Sequence, residues 1–535
     1  MDCYHISLSA PPGFKPVRLP AKGAVQVLTF VFFVSVLCMF PNTASGQANV
    51  TTSTQIWDLP VSGPPTTNVL LQGVGFDPLT AIDVYFDSTV LTSTTTDKNG
   101  AFGNGVITAT GATWTRLQVP STALPGQHTI TAKEHSGQKS AQKTFRVQTD
   151  WSQLQFGPDH TGLNPYENVL SLETVGNLTT RWKYTGAAAI DGQPVVANGV
   201  VYVAAHQSDL YALNADTGAL LWSYPQAVAY NSPAAANGAV YFVAYDAQPY
   251  QLYLCALNAN TGALLWKYML GDDYTTNGPT VVANGIVYIA RQNSAEVDAL
   301  DAGTGTLLWT APVFTSGVAV ASGVAYLGAR DLYALNARTG ALLWKFPGTK
   351  YGFETPFVAN GVVYAVEGNN AYLYAVDAST GALLWIYTPG YSIWGSPAVG
   401  NGVLYVTGGE TVYALNALTS DLLWKSPIPD VPTALVLANG VVYVASGYSE
   451  SLYALSASTG ALVWSYPLGA SWVNAPAVVN GAVYVGDNDG NVYALGLPNQ
   501  QMSAKFSPPE RPDPARLTPD WSLKPNSAVM PTNKK

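Results

Sequence analysis

Charge is scarce in this chain. Lys, Arg, Asp and Glu make up 11% of its 535 residues. Against that stand 48% hydrophobic and 11% aromatic residues, a balance that excludes an intrinsically disordered polypeptide. Basic residues are the minority (24 against 33 acidic) and the formal charge is −9, so the electrostatic footprint of a nucleic-acid binder is missing. Cysteine is almost absent, with Cys3, Cys38 and Cys255 only. The five histidines are scattered with no metal-ligand spacing, and no Gly-x-Ser-x-Gly elbow marks a nucleophile. One long apolar run exists, residues 24–40, with Lys15, Arg18 and Lys22 before it and small residues Ala44 and Gly46 after it. That layout predicts a secretory signal over 1–46. Its 17 residues are short for a membrane span, and no later stretch is long enough. With the signal removed, Cys255 alone remains, which excludes an internal disulfide and leaves stability to a large core. Residues 47–497 then hold 15 basic and 29 acidic side chains.

Gly (49) and Pro (36) are abundant, about one residue in six. Both weaken helix interiors, so the composition points to short strands and many turns. The repeat says the same. YALNADTGALLW (211–222) recurs at 255–266, 298–309, 333–344, 374–385, 413–424 and 453–464. The closing tryptophans are Trp222, Trp266, Trp309, Trp344, Trp385, Trp424 and Trp464, with Trp182 forty residues before the first. Between them recurs an apolar run, usually Asn-Gly, and a strand ending Tyr-Val, as in VVANGVVYVA (195–204). Asn-Gly is a strong hairpin signal, since both central positions of a primed turn need positive φ. Each unit reads as four short strands repeated every 35–44 residues, the pattern of a propeller. The last unit, ending YALGL (493–497), lacks a fourth strand, and LTTRWKY (178–184) is a fourth strand without its first three. Joining the two predicts an all-β, eight-bladed β-propeller over 178–497, closed by an N-terminal strand.

The spacing Ala-x-Asn/Asp-x-x-Thr-Gly-x-x-x-Trp resembles the tryptophan-docking motif of the PQQ-like (quinoprotein-type) repeat family. Ser420 replaces the glycine in one copy and Ser456 the Asn/Asp in another. In that family the motif is architectural, so the resemblance implies eight structural docking tryptophans and leaves function open. One branch holds pyrroloquinoline quinone and calcium on the ring axis. The other is non-enzymatic and includes an outer-membrane assembly lipoprotein that scaffolds protein partners. The quinone branch has a vicinal cysteine pair and long pocket-building insertions. Here Cys255 stands alone and every repeat is short, and no catalytic acid or calcium ligand of that branch maps onto the chain. The resemblance therefore favours a non-catalytic scaffold with no cofactor, with a PQQ- and calcium-dependent oxidoreductase as the alternative. FGPDHTGLNPYE (156–167) resembles the lead-in of such proteins as a marker and not a site.

The flanks complete the layout. Residues 50–148 alternate in short strands and read as an Ig-like β-sandwich. Residues 149–177 are a connector, and the tail 498–535, rich in Pro, Lys and Ser, reads as disordered.

Candidate chemistry is sparse. GDNDGN (486–491) lacks calcium-loop spacing and reads as a turn. His206 reads as a loop residue, and Cys255 as a buried inert thiol in a slot held elsewhere by tyrosine. Asp298 fills the same slot, which suggests either a hydrogen-bonded acid or a local ion or partner site. The loops joining fourth to first strands carry Tyr230, Tyr274, Phe314, Tyr351, Tyr391, Trp394 and Trp472, with Asp191, Asp272, Asp273, Glu354 and Asp430. Tyr and Trp are frequent interface anchors. This rim is the expected site for a protein or small-molecule ligand, with inward folding to plug the channel as the competing expectation.

Overall fold

The computed structural model describes residues 54–498, apart from short stretches at 104–106, 109–110, 113–114, 191, 207, 226–231, 248–249, 272–277, 292–293, 349, 368–371, 394, 448–449 and 470–471. The expected signal segment and all but Pro498 of the tail lie outside the described residues. The fold is all-β, with one short 3-10 turn, Val175–Asn177, among the described residues.

Residues 55–147 form two facing sheets. Gln55–Leu59, Asn68–Val74 and Thr115–Gln118 make one. Ser62–Gly63, Ser140–Val147, Gly126–Glu134, Ala81–Phe86 and Thr89–Thr95 make the other. Alternating residues such as Val69, Leu71, Ile82, Val84, Ile130 and Phe145 point inward and form one shared core.

From Val195 onward the chain lays down successive four-stranded antiparallel sheets. The first is Val195–Ala197, Val200–Ala204, Asp209–Asn214 and Leu220–Pro225. Seven follow this order, the seventh with Leu163–Asn164 added in parallel outside its first strand, Pro432–Ala438. An eighth takes Ala477–Val479, Ala482–Gly486 and Asn491–Gly496 from the C-terminal end and Thr179–Thr185 from before the first sheet. The first strands of the sheets lie against one another, and Val195–Ala197 also meets Ala477–Val479. Apolar clusters link each sheet to the next, and one cluster joins the seventh, eighth and first. Order and closure are those of a propeller.

The repeated residues account for the repeated geometry. Asn198 (φ 50°) and Gly199 (φ 77°) are both left-handed and make the tight turn between first and second strands. Asn214 Oδ1 accepts from the Asp216 and Thr217 amides and the Thr217 hydroxyl, which folds the third-to-fourth turn. Gly262, in the same turn of the second sheet, lies on the ring of Trp222 in the first sheet. Trp222 Nε1 and Tyr202 Oη both donate to the carbonyl of Ala259 beside that turn. The same shared carbonyl ties Trp182, Trp266, Trp309, Trp344, Trp385 and Trp424 to the next sheet. Trp182 and Trp309 are buried and the others are half-buried.

Candidate functional site

The axis is where a propeller of this kind holds a cofactor if it holds one. Here it is occupied by the chain itself. Residues 151–164 wind once around the inside of the ring and bond to all eight first strands in order. Trp151 exchanges two backbone hydrogen bonds with Val196 (2.8 and 2.9 Å). Ala235 N–H donates to the Ser152 carbonyl. The Gln153 side chain bonds both the amide and the carbonyl of Val282. The amides of Val320, Val358, Val399 and Leu437 donate to the carbonyls of Pro158, Asp159, Thr161 and Gly162 at 2.6–2.8 Å. Asn164 Nδ2 closes the circuit on the Val478 carbonyl (2.9 Å). Each contacted residue stands two before the turn residue Asn198, Asn237, Asn284, Ser322, Asn360, Asn401, Asn439 or Asn480, so the eight contacts lie at one level of the ring.

Such tight winding requires backbone that most residues avoid. Gln155, Phe156, His160 and Gly162 all have φ between 56° and 79°. Trp151, Gln153, Gln155 and His160 of the coil are all buried. Burial drops the His160 imidazole pKa to about 4, partly offset by its hydrogen bond to the Pro356 carbonyl. Gln193 braces the coil from one end of the first sheet, accepting from the Gln155 amide and donating to the Pro476 carbonyl. The sequence reading took this segment for a connector and a family marker. Its role escaped because its bonds are mostly backbone to backbone, and no side-chain period announces it.

A tricarboxylic quinone does not fit this level of the axis. Binding three carboxylates calls for cationic side chains, and the coil offers peptide groups, Trp151, Gln153, Gln155 and His160 instead. Cys255 is buried and in no disulfide. No group of three or more His, Cys, Asp or Glu able to hold a metal ion occurs among the described residues.

Asp298 is fully buried. Its carboxylate lies 2.9 Å from Arg291 Nε and accepts from Thr310 Oγ1 (2.7 Å) and Tyr268 Oη (3.2 Å), the surroundings of a paired structural acid and not of an open site. Asp487 accepts from the amides of Asp489 and Asn491 and from Asn491 Nδ2, so GDNDGN is a turn. His128 and His135 bond Asp87 and Asp83 on the sandwich, far in sequence from His160 and His206.

Of the expected rim, Phe314, Tyr351 and Tyr391 are exposed, Tyr391 at 65%. These three side chains are turned to solvent, while the axis at the level of the first strands holds the coil. Trp472 is 38% exposed (φ 89°), its ring against Gly447. Tyr230, Tyr274, Trp394, Asp191, Asp272 and Asp273 lie outside the described residues. Asp430 turns inward, accepting from the Val431 amide and from Ser446 Oγ. The sandwich rests at the opposite ends of the strands. Gln148 Nε2 donates to Asn198 Oδ1 (3.0 Å), and Thr149 pairs with Asn480. Those asparagines are turn residues, so the loop face carrying Tyr351, Tyr391 and Trp472 is the face away from these contacts.

Closed order, docking tryptophans and shared carbonyls define a PQQ-like repeat β-propeller protein. The chain belongs to the family described as outer membrane protein assembly factor BamB, whose model matches residues 171–294, 293–434 and 429–498. It is 35% identical over 186 residues to the dehydrogenase subunit of a quinone alcohol dehydrogenase from Gluconobacter oxydans (strain 621H), a match covering 30% of this chain and 24% of that protein. Solved structures share the fold. A quinohemoprotein alcohol dehydrogenase from Pseudomonas putida HK5 has a TM-score of 0.55 at 18% identity, covering 68% of this chain and 82% of that one. BamB from Moraxella catarrhalis has 0.50 at 17%, covering 60% and 100%. A europium-containing methanol dehydrogenase has 0.55 at 15%, covering 65% and 98%. No helix among the described residues is long and apolar enough to cross a membrane.

Proposed function

We propose that this protein is a non-catalytic, extracytoplasmic binding scaffold: a secretory signal, an Ig-like module and an eight-bladed propeller whose loop face receives a protein partner. The observation that carries this reading is the coil of residues 151–164, which occupies the axis at the level of all eight first strands. At that level the axis offers peptide groups and no cationic side chain of the coil to bind a tricarboxylic quinone. The sandwich contacts at Asn198 and Asn480 support the loop face as the open one, and the exposed aromatics Tyr351, Tyr391 and Trp472 supply anchors.

The alternative, a PQQ-dependent oxidoreductase, is favoured by the similarity to the Gluconobacter dehydrogenase subunit. One experiment separates the two. The purified chain is mixed with pyrroloquinoline quinone and calcium, desalted, and assayed for a bound chromophore and dye-linked alcohol oxidation. The scaffold reading expects neither, and a stoichiometric chromophore with turnover overturns it. A photo-crosslinking residue at Tyr391 is expected to capture a protein partner in the source cell, whereas one at the turn residue Asn260 is not.

A further inference from the structure

Each of the eight sheets ends at the rim in a strand with one backbone edge unpaired. Such an edge is a template for another strand, and proteins blunt it with bulges, lysines or proline. A bulge beside the tryptophan is common to all eight. The residue after the tryptophan is not. It is Lys183, Lys267, Lys345 or Lys425 in four sheets and Ser223, Thr310 or Ser465 in three. In the fifth sheet it is Ile386, 44% exposed. The outer strands of the first, sixth and seventh sheets also end on Pro225, Pro427 and Pro467, whereas Leu383–Tyr387 contains no proline.

The fifth edge is apolar along its length. Leu383 and Leu384 are exposed beside Ile386, and Tyr372 is exposed just before the neighbouring third strand, Leu373–Asp377. No charged residue occurs from 378 to 409. An exposed apolar patch of this kind marks a contact site. The Trp385 indole is committed to the sixth sheet through the Ala417 carbonyl, so this edge offers outward its backbone, its leucines and Ile386. A second copy of the chain supplies the complement. Laid antiparallel about Trp385, the strand sets Leu384 against Ile386 of the second copy, and Ile386 against its Leu384, two apolar cross-strand pairs. The same pairing in any other sheet would set a lysine or a hydroxyl against the apolar residue two before it and draw a polar group out of water. The whole chain is acidic, and an uncharged rim is where two copies meet without added local repulsion. Such a two-fold contact closes on itself, giving a dimer and no fibre.

We infer that two copies of this chain pair edge to edge through Leu383–Tyr387, joining their fifth sheets into one continuous antiparallel sheet. The inference is independent of the proposed function. It is tested by sedimentation velocity of the full chain from about 1 to 100 µM, and by hydrogen–deuterium exchange across the same range. The mass is expected to rise from one chain to two, with the amides of 383–387 slowing in step. Added salt is expected to leave the dimer in place, because no ion pair holds it. Ile386→Lys is expected to weaken association about tenfold or more. That variant carries the residue already present at this position in four other sheets, so it folds, and a melting temperature unchanged at about 1 µM checks this. Ser223→Lys, the same change at the rim of the first sheet, is expected to leave the dimer intact. A chain that stays monomeric with unchanged exchange overturns the inference. So does a dimer that survives Ile386→Lys, or one weakened equally by Ser223→Lys, since another surface would then hold it. Protection of 383–387 that appears only in a complex with a different protein also overturns it, and assigns the edge to a strand of that protein.

Discussion

Thr149 and Asn480, 331 positions apart, exchange a reciprocal pair of hydrogen bonds: the Thr149 amide donates to Asn480 Oδ1 and Asn480 Nδ2 donates to the Thr149 carbonyl, each at 2.8 Å. The pair stands where the chain leaves the sandwich and enters the axial coil, and it fastens that point to the eighth sheet. Asn480 also supplies the left-handed turn (φ 54°), so Asn480→Gly keeps the turn and removes both bonds. Losing two bonds to a partly buried backbone group is expected to cost about 1–3 kcal/mol. Urea unfolding measures the loss, and limited proteolysis of the variant is expected to cut near Thr149 before it cuts the propeller. An unchanged cleavage pattern would show that the coil is held without this pair.

The turn glycines separate two kinds of strain. A Cβ at Gly262 would lie 2.8 Å from the Trp222 ring, whereas at Gly285 nothing stands within 4 Å. Both are left-handed, at 68° and 76°. Gly285→Ala is expected to cost about 1 kcal/mol from backbone strain alone. Gly262→Ala adds overpacking against the tryptophan, about 1–3 kcal/mol more. Ser420 already stands at the Gly262 position of its repeat with φ 63°, so Ser420→Gly is expected to raise stability by about 1 kcal/mol. Melting temperatures of the three variants check the order.

The coil makes stability depend on acid. His160 is buried and its pKa falls to about 4 in the folded chain, against an unfolded value of about 6.5. Between those values the unfolded state binds a proton that the folded state refuses. Stability is therefore lost as pH falls below about 6.5, reaching about 3 kcal/mol near pH 4. The carboxyls of Asp58, Asp150, Asp159 and Glu167 act with the opposite sign, since burial raises their pKa. The difference between wild type and His160→Gln isolates the histidine. Unfolding free energies at pH 7 and pH 4.5 are expected to diverge for wild type by about 2–3 kcal/mol more than for the variant.

Much of this architecture was legible because it is local. Asn-Gly and Thr-Gly name their turns, and Trp at a fixed distance names the outer strand. The class of fold follows from those pieces repeated. The coil was not legible, because a strand such as Val195–Ala197 bonds to it through peptide groups that any residue carries. Asp298, read as either a hydrogen-bonded acid or a local ion or partner site, is the hydrogen-bonded acid; its partners were not legible for a related reason. Arg291, seven positions earlier, supplies its counter-charge from the adjacent strand, and only the register Ile289↔Asp298 brings them together. Of the loop aromatics, position in the repeat located Tyr351, Tyr391 and Phe314, but exposure depends on neighbouring loops that follow no repeat.

The tryptophans are equivalent in sequence and unequal in surroundings. Trp182 is 8% exposed, lies under Gly218, and shares the Ala215 carbonyl with Tyr484 Oη. Trp464 belongs to the seventh sheet, which faces the sheet assembled from both chain ends. There the third strand runs on to Pro498 with no Thr-Gly turn. Trp464 stacks on Tyr466 (centroids 5.6 Å apart), and Tyr443 Oη, the counterpart of Tyr484, is buried without a hydrogen-bond partner among the described residues. Among the described residues no turn glycine lies on Trp464. Trp182→Ala is accordingly expected to cost about 3–5 kcal/mol, the price of a large buried aromatic. Trp464→Ala, losing only partial burial, is expected to cost about 1–2 kcal/mol. Trp182 also sits on the strand that completes the eighth sheet, so its loss is expected to lower the midpoint of the whole propeller and not to split the transition. Equal costs for the two variants would mean that the seam between seventh and eighth sheets is packed as tightly as the other junctions.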